Sequence, residues 1–273
     1  MQDAPKVPAP LLENGHIRLK RCRHGAMAYN ARDQYVGRSL DLYGEYGEEE
    51  FSLLAQLLKP GITALDIGAN IGALTLPMAR AVGAKGRVMA FEPQRAIFQL
   101  LAANAALNAL SNVETRHAAV GAAAGDIVVP PIDYEKGGNY GALALGSFEA
   151  GERVPVLTVD GLGLAQCHVM KVDVEGMENE VLEGATATIA EFRPTLYLEN
   201  DRCERSEELL TRLLNLDYAA YWHCPRLYNP DNYFANPENA FANLISRNVL
   251  ALPNERDLKV ERMQRITDPA VKF

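Results

Sequence analysis

Short apolar segments alternate with amphipathic segments between residues 62 and 198, and this alternation restricts the fold more than any other feature of the chain. The apolar segments have the length of β-strands, and the segments between them carry apolar residues at helical spacing. Repeated strand–helix units form a parallel sheet with helices on both faces. With two later segments, the predicted strands cover residues 62–65, 87–91, 113–116, 168–172, 195–198, 218–221 and 248–252. We therefore expect an α/β fold built on a mostly parallel seven-stranded sheet.

The remaining chain is arranged around this sheet. Prolines and polar residues open the chain, and two alternating segments around His24–Gly25 predict a β-hairpin. Apolar residues at helical spacing predict a helix over 48–58 that ends at Pro60–Gly61. We expect an N-terminal arm and hairpin (1–45), a sheet domain (46–255) with a lid-like insertion (about 222–245), and a C-terminal tail (256–273).

Two helix boundaries carry specific expectations. The helix predicted over 74–82 contains Pro77, which lacks a backbone N–H and therefore predicts a kink or a shifted boundary. Ser206 precedes a series of leucines at helical spacing. Serine is a favoured residue at helix N-termini, so Ser206 is expected to cap the helix that follows.

Composition and charge exclude several classes of function. The chain has 273 residues and a net charge of −8, and so acidic a chain is a poor general binder of nucleic acid. No apolar run approaches the roughly 18 residues of a membrane span. Prolines and an acid occupy the first ten residues, where a signal peptide needs an apolar run. The four cysteines form no C-x-x-C pair. We expect a cytoplasmic protein with no nucleic-acid or membrane partner.

The turn after the first strand of the sheet indicates the ligand. Asp66 lies two residues before Gly68, and a second glycine follows at Gly72, giving D-x-G-x-x-x-G instead of the G-x-G-x-x-G of dinucleotide sites. Ligands of doubly wound sheets bind at this turn. A carboxylate there opposes a pyrophosphate but suits the ammonium and sulfonium groups of S-adenosylmethionine (SAM). Glu92 ends the next strand, 24 residues after Gly68, where an acid accepts hydrogen bonds from ribose.

The wider pattern resembles the FkbM-type methyltransferases, a family of SAM-dependent enzymes with a Rossmann-like class I fold. The matching segments follow the family's order across residues 35–252 and are Leu65–Gly72, Ala90–Pro93, Asn112–Val113, Leu157–Asp160, Met170–Gly176 and Leu198–Glu199. The K-V-D-V-E-G block at 171–176 distinguishes this family better than the glycine turn does.

The resemblance implies a set of cofactor-binding residues. Those expected at the methionine and ribose of SAM are Asp66, Gly68, Ala69, Asn70 and Gly72. Glu92 is expected to bind the ribose hydroxyls, with Pro93 and Gln94 beside the adenosine. His117 and Ala118 follow the third strand, where such enzymes meet the adenine ring. For His117 an ordinary surface position is the alternative.

A second group of polar residues follows the fourth strand. Strand alternation places Lys171 and Asp173 on one face, and Glu175 comes in the next turn. Methyl transfer to a hydroxyl requires alignment of the acceptor and removal of its proton. Asp173 is the first candidate for the general base and Glu175 the second, with Lys171 paired to either; a structural ion-pair network is the alternative. Carboxylates here have the chemistry to bind Mg²⁺, but no spacing demands an ion, and we expect no metal requirement.

The acceptor site is expected to come from variable regions of the chain. Aromatic rings mixed with Asn and Asp suit a polyhydroxylated ligand such as a sugar, although ordinary packing of the rings is the alternative. The candidate acceptor-binding residues are Tyr43, Glu45, Tyr140, Glu199, Trp222 and Tyr228. A basic cluster over 18–24, which includes Arg21 and Arg23, is either a solvated face or an attractor for an anionic acceptor.

The reaction class follows from one further observation. The (Asp/Asn)-Pro-Pro-(Tyr/Phe) motif of many amino-group methyltransferases is not found after the fourth strand, where the sequence reads Asp173-Val-Glu-Gly. This favours O-methylation of a hydroxyl on a saccharide or another small-molecule or natural-product acceptor. The alternatives are an NAD-type oxidoreductase and a SAM-binding partner protein without catalysis. The sequence leaves the acceptor's identity and the oligomeric state open, a homodimer included.

Overall fold

The computed structural model describes residues 7–141, 143, 146, 148–256 and 258–271. Its strands are β1 Leu12–Asn14, β2 Ile17–Cys22, β3 Gly25–Asn30, β4 Thr63–Ile67, β5 Arg87–Phe91, β6 Val113–Arg116, β7 Ala119–Val120, β8 Gly125–Val129, β9 Glu152–Leu157, β10 Val169–Val172, β11 Thr195–Glu199, β12 Tyr218–His223, β13 Asn248–Pro253 and β14 Arg265–Ile266. Its α-helices are α1 Val36–Tyr43, α2 Glu48–Leu57, α3 Thr75–Val82, α4 Arg95–Leu107, α5 Glu178–Glu183, α6 Thr186–Phe192 and α7 Cys203–Asn215. Within the described residues, no helix combines the length and the hydropathy needed to cross a membrane.

The strands of the described residues form three sheets. The main sheet has the order β14-β12-β13-β11-β10-β4-β5-β6; the strands from β11 to β6 in this order run parallel, and the other three join antiparallel. The N-terminal sheet contains β1, β2 and β3, and a small sheet contains β7, β9 and β8. The predicted α/β class is confirmed. In the described chain, the two-residue β14 makes the main sheet one strand wider than predicted.

The central strands are buried along their whole length. Every residue of β4 and β10 is buried, because helices cover both faces of the sheet. Their apolar residues divide between two core clusters, one on each face. Asp66 in β4 and Lys171 in β10 are the charged exceptions. A buried charge is costly unless it is paired. We therefore expect the opposite charges of these two side chains to interact near the carboxyl ends of β4 and β10.

One predicted helix start agrees with the structure within one residue, and another is wrong. α3 begins at Thr75, so Pro77 lies in the first turn, where the missing N–H would have no intrahelical acceptor. α7 begins at Cys203, three residues before Ser206. The Ser206 hydroxyl accepts a hydrogen bond from the Asn200 amide at 2.9 Å. The expectation that Ser206 caps this helix is therefore wrong.

The predicted N-terminal hairpin is confirmed, with β2 and β3 paired antiparallel, and within the described residues a third strand extends it because Leu12–Asn14 pairs with β2. The outer edge of β3 docks on α4 through Asn104, which is fully buried. The Asn104 Oδ1 atom accepts from the Ala28 N–H at 2.7 Å, and its Nδ2 donates to the carbonyls of Ala28 and Ile71 at 3.0 and 2.8 Å. One amide thus joins the N-terminal sheet, α4 and the glycine turn.

Replacing Asn104 by alanine is expected to lower the free energy of unfolding by about 2–4 kcal/mol, because each buried polar group left unpaired costs about 1–3 kcal/mol. Urea unfolding measures the change. Asn108→Ala is the matched control: Asn108 makes the same kind of contacts with Ala26 one helical turn later but is only half-buried. Asn108→Ala should lower the free energy of unfolding by about 1 kcal/mol, because water can replace the hydrogen bonds of the lost amide. Equal losses would contradict the role assigned to Asn104.

The insertion between β12 and β13, residues 224–247, lies against α1 and the residues that follow it. The Tyr43 hydroxyl donates to the Glu238 carbonyl at 2.8 Å, and the Tyr43 carbonyl accepts from the Phe234 N–H at 3.1 Å. The Asn236 amide donates to the Leu42 carbonyl at 3.2 Å. These contacts fix the insertion as a wall beside the carboxyl ends of the central strands.

Candidate active site

A cleft opens at the carboxyl ends of the parallel strands, where ligands of such sheets bind. Its volume is about 310 Å³, and a smaller space of about 40 Å³ adjoins it beside Glu92. Four parts of the chain form its walls: the ends of β4, β5, β10 and β11, the residues around α1 and α2, the insertion, and Asn139 and Gly141 of the loop between β8 and β9. The polar lining residues from the strand ends are Gly68, Asn70, Glu92, Lys171, Asp173, Glu175, Glu199, Asp201 and Arg202.

The glycine turn joins two strand ends. Gly68 has a φ of +80°, and a Cβ at this position would lie 1.7 Å from the carbonyl oxygen of Asp173. A Cβ at Gly72 would lie 2.9 Å from Leu101. Gly72 does not line the cleft, whereas Gly68, Ala69 and Asn70 do. The two glycines therefore serve close packing, and Gly68 in particular brings the turn against Asp173.

Asp66 lies beneath the turn and is fully buried. Its Oδ2 atom accepts from the Thr75 hydroxyl at 2.6 Å, and its Oδ1 lies 3.2 Å from the Lys171 ammonium. The expectation that Asp66 faces the cofactor is therefore corrected: this carboxylate does not line the cleft and anchors Lys171 instead.

Glu92 is buried at the end of β5 and borders both spaces. Its Oε1 accepts from the Gln94 N–H at 2.8 Å and its Oε2 from the Asn70 N–H at 3.1 Å. Burial raises the pKa of Glu92 to about 7, against the lowering effect of these two hydrogen bonds. Because each carboxylate oxygen accepts more than one bond, Glu92 retains capacity for ribose hydroxyls.

The other predicted adenosine contacts divide into two groups. Pro93, Gln94 and Ala118 line the small space next to Glu92. His117 does not line it: its Nε2 is 3.0 Å from the Pro93 carbonyl, and its ring stacks on Phe98 with a centroid distance of 5.1 Å. The donors and acceptors at the glycine turn and Glu92, together with the small space, fit SAM.

Lys171 connects Asp66 with the cleft. Its Nζ lies 3.3 Å from Asp173 Oδ2 and 3.4 Å from the Gly68 carbonyl. Burial lowers the pKa of Lys171, but the carboxylates of Asp66, Asp173 and Glu50 outweigh it, so its pKa is raised and the ammonium persists at neutral pH. The Asp173 side chain is 39% exposed, so it is open to the cleft while one oxygen contacts Lys171.

Glu175 and Glu199 complete the carboxylate group. Glu175 has a φ of +56° and lies 2.7 Å from the Arg202 guanidinium. Burial and the nearby Asp173 raise the pKa of Glu175 to about 7, against the effect of Arg202. Burial and the same neighbouring carboxylates raise the pKa of Glu199 well above its usual value. Its Oε2 is buried and makes no hydrogen bond among the described residues.

These carboxylates have the chemistry of a metal site. Oxygens of Asp173, Glu175 and Glu199 lie within 4.8 Å of one another, and hard oxygen ligands suit Mg²⁺ or Ca²⁺. Two of the three, however, already have a cationic partner within the protein, Lys171 for Asp173 and Arg202 for Glu175.

The structure corrects five of the six acceptor-site predictions. Of the six, only Glu199 lines the cleft. Tyr43 and Tyr140 are buried and bind backbone carbonyls, and Trp222 belongs to the main core. The Glu45 carboxylate accepts from Arg23 at 2.6 Å, and the Tyr228 hydroxyl donates to the Asn236 carbonyl at 3.3 Å. Tyr43 and Glu45 thereby hold the insertion and the N-terminal region together.

Other residues that line the cleft were not predicted from the sequence. They are Tyr35, Val36, Tyr46, Glu50, Leu227, Leu244, Ile245, Ser246 and Asn248. Glu50 had a detectable signal: it lies four residues before Leu54 and seven before Leu57, on the apolar face of α2. An acid on such a face is rarely buried without a function or a partner.

The basic cluster of the N-terminal sheet is largely neutralised. Arg18 and Lys20 pair with Asp41. Arg23 pairs with Glu45, and His24 lies 2.6 Å from Glu48. Arg21 lines a separate groove that shares no residue with the cleft. The position and the ion pairs of this basic cluster therefore do not support the hypothesis that it attracts an anionic acceptor.

Solved structures of several methyltransferases are similar to this chain. The structure of methyltransferase FkbM from Methylobacillus flagellatus is 16% identical, with 75% of this chain and 58% of that chain covered and a TM-score of 0.47. An O-methyltransferase of Thermotoga maritima is 17% identical, with 75% and 64% covered and a TM-score of 0.43. TomG of Streptomyces achromogenes, solved in complex with SAM, is 16% identical, with 75% and 78% covered and a TM-score of 0.45.

This chain therefore spans less than two thirds of the length of the Methylobacillus protein. No curated protein matches the chain. The profile of the family described as "Methyltransferase FkbM domain" matches residues 66–219, which run from Asp66 in β4 to the start of β12 and make up more than half of the chain. The matched region contains the glycine turn, Glu92 and the whole carboxylate group, and the chain belongs to the FkbM family of SAM-dependent methyltransferases.

Proposed function

We propose that the protein transfers the methyl group of SAM to a hydroxyl of a saccharide or another small-molecule acceptor. The observation that carries this proposal is the Asp173 carboxylate, which is open to the cleft, adjoins the glycine turn and is oriented by Lys171. A carboxylate in that place can accept the proton of a hydroxyl. The four free cysteines support a reducing, cytoplasmic compartment.

The cofactor-binding residues in this proposal are those of the glycine turn and the end of β5. Gly68, Ala69 and Asn70 present the turn to the cleft, Glu92 accepts hydrogen bonds from the ribose, and Pro93, Gln94 and Ala118 border the adenine. SAM supplies an electrophilic methyl group on a positively charged sulfur. The carboxylates around the cleft favour that positive charge through space.

Asp173 is the better candidate for the base, and Glu175 the weaker one. The Glu175 carboxylate is held by Arg202 at 2.7 Å, a charge-assisted contact that restricts it. Lys171 holds Asp173 at 3.3 Å but leaves its second oxygen available. In the proposed reaction the acceptor oxygen forms a bond to the methyl carbon, the carbon–sulfur bond breaks, and the hydroxyl proton passes to Asp173.

Binding and turnover together test the proposed function. Calorimetry should detect binding of SAM and not of NAD. Release of S-adenosylhomocysteine during incubation with a panel of saccharides and hydroxylated small molecules should identify an acceptor, with the methyl group on oxygen by NMR. Binding of NAD alone would contradict the proposal. Binding of SAM without turnover on any acceptor would instead favour a partner protein without catalysis.

Turnover is expected to be independent of divalent metal. Lys171 and Arg202 supply positive charge to two of the three carboxylates that could bind an ion, so a metal is not needed to balance them. Methyl transfer should be unchanged by excess EDTA and by added Mg²⁺. Loss of turnover in EDTA that is restored by Mg²⁺ would contradict this expectation and assign Asp173, Glu175 and Glu199 to a metal site.

A further inference from the structure

Glu50 is a buried carboxylate of the cleft that the proposed methyl transfer does not use. It comes from α2, on the wall away from the strand ends, and is 7% exposed. None of the ion pairs in the described part of the chain includes it. The Lys171 ammonium favours the charged form of Glu50 only through space, beyond ion-pair distance, and a buried carboxylate without a direct cationic partner costs free energy. Its retention on the apolar face of α2 therefore suggests that a ligand completes its contacts.

A hydrogen-bond network fixes Asn248, the residue whose amide faces this carboxylate. The Asn248 amide donates to the Tyr197 hydroxyl at 2.7 Å, and that hydroxyl lies 2.8 Å from His223 Nδ1. The Tyr197 hydroxyl thus contacts both Asn248 and His223. Asn248 and Tyr197 are buried, and the Asn248 amide also stabilises the charged form of Glu50. A side chain fixed by such a network is preorganised for a ligand.

The charge of the cleft indicates the chemistry of that ligand. Among the described residues, the cationic side chains Lys171 and Arg202 line the cleft together with six acidic side chains, Glu50, Glu92, Asp173, Glu175, Glu199 and Asp201. Burial raises the pKa of Glu50, Glu92 and Glu175 to about 7, so the cleft gains negative charge as the pH rises through about 7. Lys171 is shared with the buried Asp66, and Arg202 pairs with Glu175. Surplus negative charge in a concave site attracts cations and disfavours anions. An acceptor with a phosphate or carboxylate is thereby disfavoured.

Glu50 suits an organic cation better than a metal ion. It is not part of the group Asp173, Glu175 and Glu199, whose oxygens lie within 4.8 Å of one another. Ca²⁺ and Mg²⁺ require about six or more oxygen ligands, whereas an ammonium group is satisfied by one carboxylate and a few neutral acceptors. Burial raises the pKa of Glu50 to about 7, and repulsion from Asp173 adds to this, so a bound ammonium would favour its charged form.

We propose that the acceptor carries a protonated amine, and that Glu50 binds this ammonium group while Asp173 faces the hydroxyl to be methylated. The acceptor class is an amino sugar or another amine-bearing polyol. This inference rests on the proposed function, because it specifies the acceptor of the same cleft.

Binding of three matched hexoses tests the inference. The full chain is saturated with S-adenosylhomocysteine in EDTA-containing buffer, and D-glucosamine, D-glucose and D-glucuronate are titrated by ligand-observed NMR. Glucosamine should bind about 10- to 100-fold more tightly than glucose, the range expected for one hydrogen bond to a charged group, and glucuronate should bind most weakly. Equal binding of glucosamine and glucose, or binding of none of the three, would overturn the inference.

The Glu50→Gln variant connects the preference with this residue. Glutamine keeps the shape and an oxygen for Asn248 but removes the charge, so glucosamine should lose its advantage while glucose binding is unchanged. Glu191→Gln removes one exposed carboxylate elsewhere and should retain the preference. Persistence of the preference in Glu50→Gln would overturn the inference. Binding of S-adenosylhomocysteine in the same samples distinguishes failure of this inference from failure of the proposed function. If the variant does not fold, the titrations of the wild-type protein still test the inference.

Discussion

Replacing Asp173 by asparagine is expected to lower kcat by about 10²- to 10⁴-fold, the usual contribution of a positioned general base. Asparagine retains an oxygen that accepts a hydrogen bond from Lys171, so the strand end should keep its geometry. The amide cannot take up the proton of a hydroxyl. Steady-state kinetics with the identified acceptor measures the loss, and calorimetry should show that the affinity for SAM is retained.

Two further variants provide a comparison and a control for Asp173→Asn. Glu175→Gln should reduce kcat less than Asp173→Asn, because Arg202 already engages the Glu175 carboxylate. Asp126→Asn removes an exposed carboxylate on β8 and should leave kcat unchanged. A larger loss in Glu175→Gln than in Asp173→Asn would transfer the role of base to Glu175. Near-normal turnover in both variants would remove the carboxylates from the proposed mechanism.

Replacing Gly68 by alanine is expected to lower the free energy of unfolding by about 2–5 kcal/mol and to abolish SAM binding. A left-handed backbone costs an L-residue about 1–2 kcal/mol, and overpacking costs about 1–3 kcal/mol more. The new Cβ would lie 1.7 Å from the Asp173 carbonyl, so the glycine turn and the end of β10 must separate. Urea unfolding and SAM calorimetry measure the two effects.

Gly61 provides the matched control for this substitution. Its φ of +90° is close to that of Gly68, but a Cβ there would have no atom within 4 Å. Gly61→Ala should therefore cost only about 1–2 kcal/mol, from backbone strain alone, and should bind SAM normally. If both variants lost the same stability and both bound SAM, the close contact between the turn and β10 would have no functional importance.

The arrangement of the sheet was predictable because burial of a strand requires apolar residues within that short segment of the sequence. Strands covered by helices on both faces must be apolar at nearly every position, and β4, β5, β10 and β11 are recognisable for this reason. The two-residue β14 could not be predicted, because so short a strand exists only through its pairing with β12. Strand β1 likewise depends on pairing with β2, since its own residues are exposed.

The acceptor side of the cleft was the part that the sequence did not predict. Aromatic residues mixed with Asn and Asp suggested a sugar site at Tyr43, Trp222 and Tyr228. Tyr43 and Trp222 are buried, however, and the half-buried Tyr228 packs its ring against Tyr43. An aromatic side chain serves a core and a ligand site equally well. Whether a given ring lies in a core or at a ligand site depends on how segments distant in the sequence pack together. The identity of a single residue does not reveal this packing.

By itself, the sequence determined the order of the seven longer strands of the main sheet, the glycine turn, Glu92 at the end of β5 and the carboxylates after β10. These features lie within short segments, where local backbone geometry relates spacing directly to position. Only the tertiary structure decided that Asp66 lies beneath the turn and holds Lys171, that Asp173 remains open to the cleft, and that Glu50 faces it from α2. Charge pairing and exposure arise between segments far apart in the chain, so they are settled only when those segments pack.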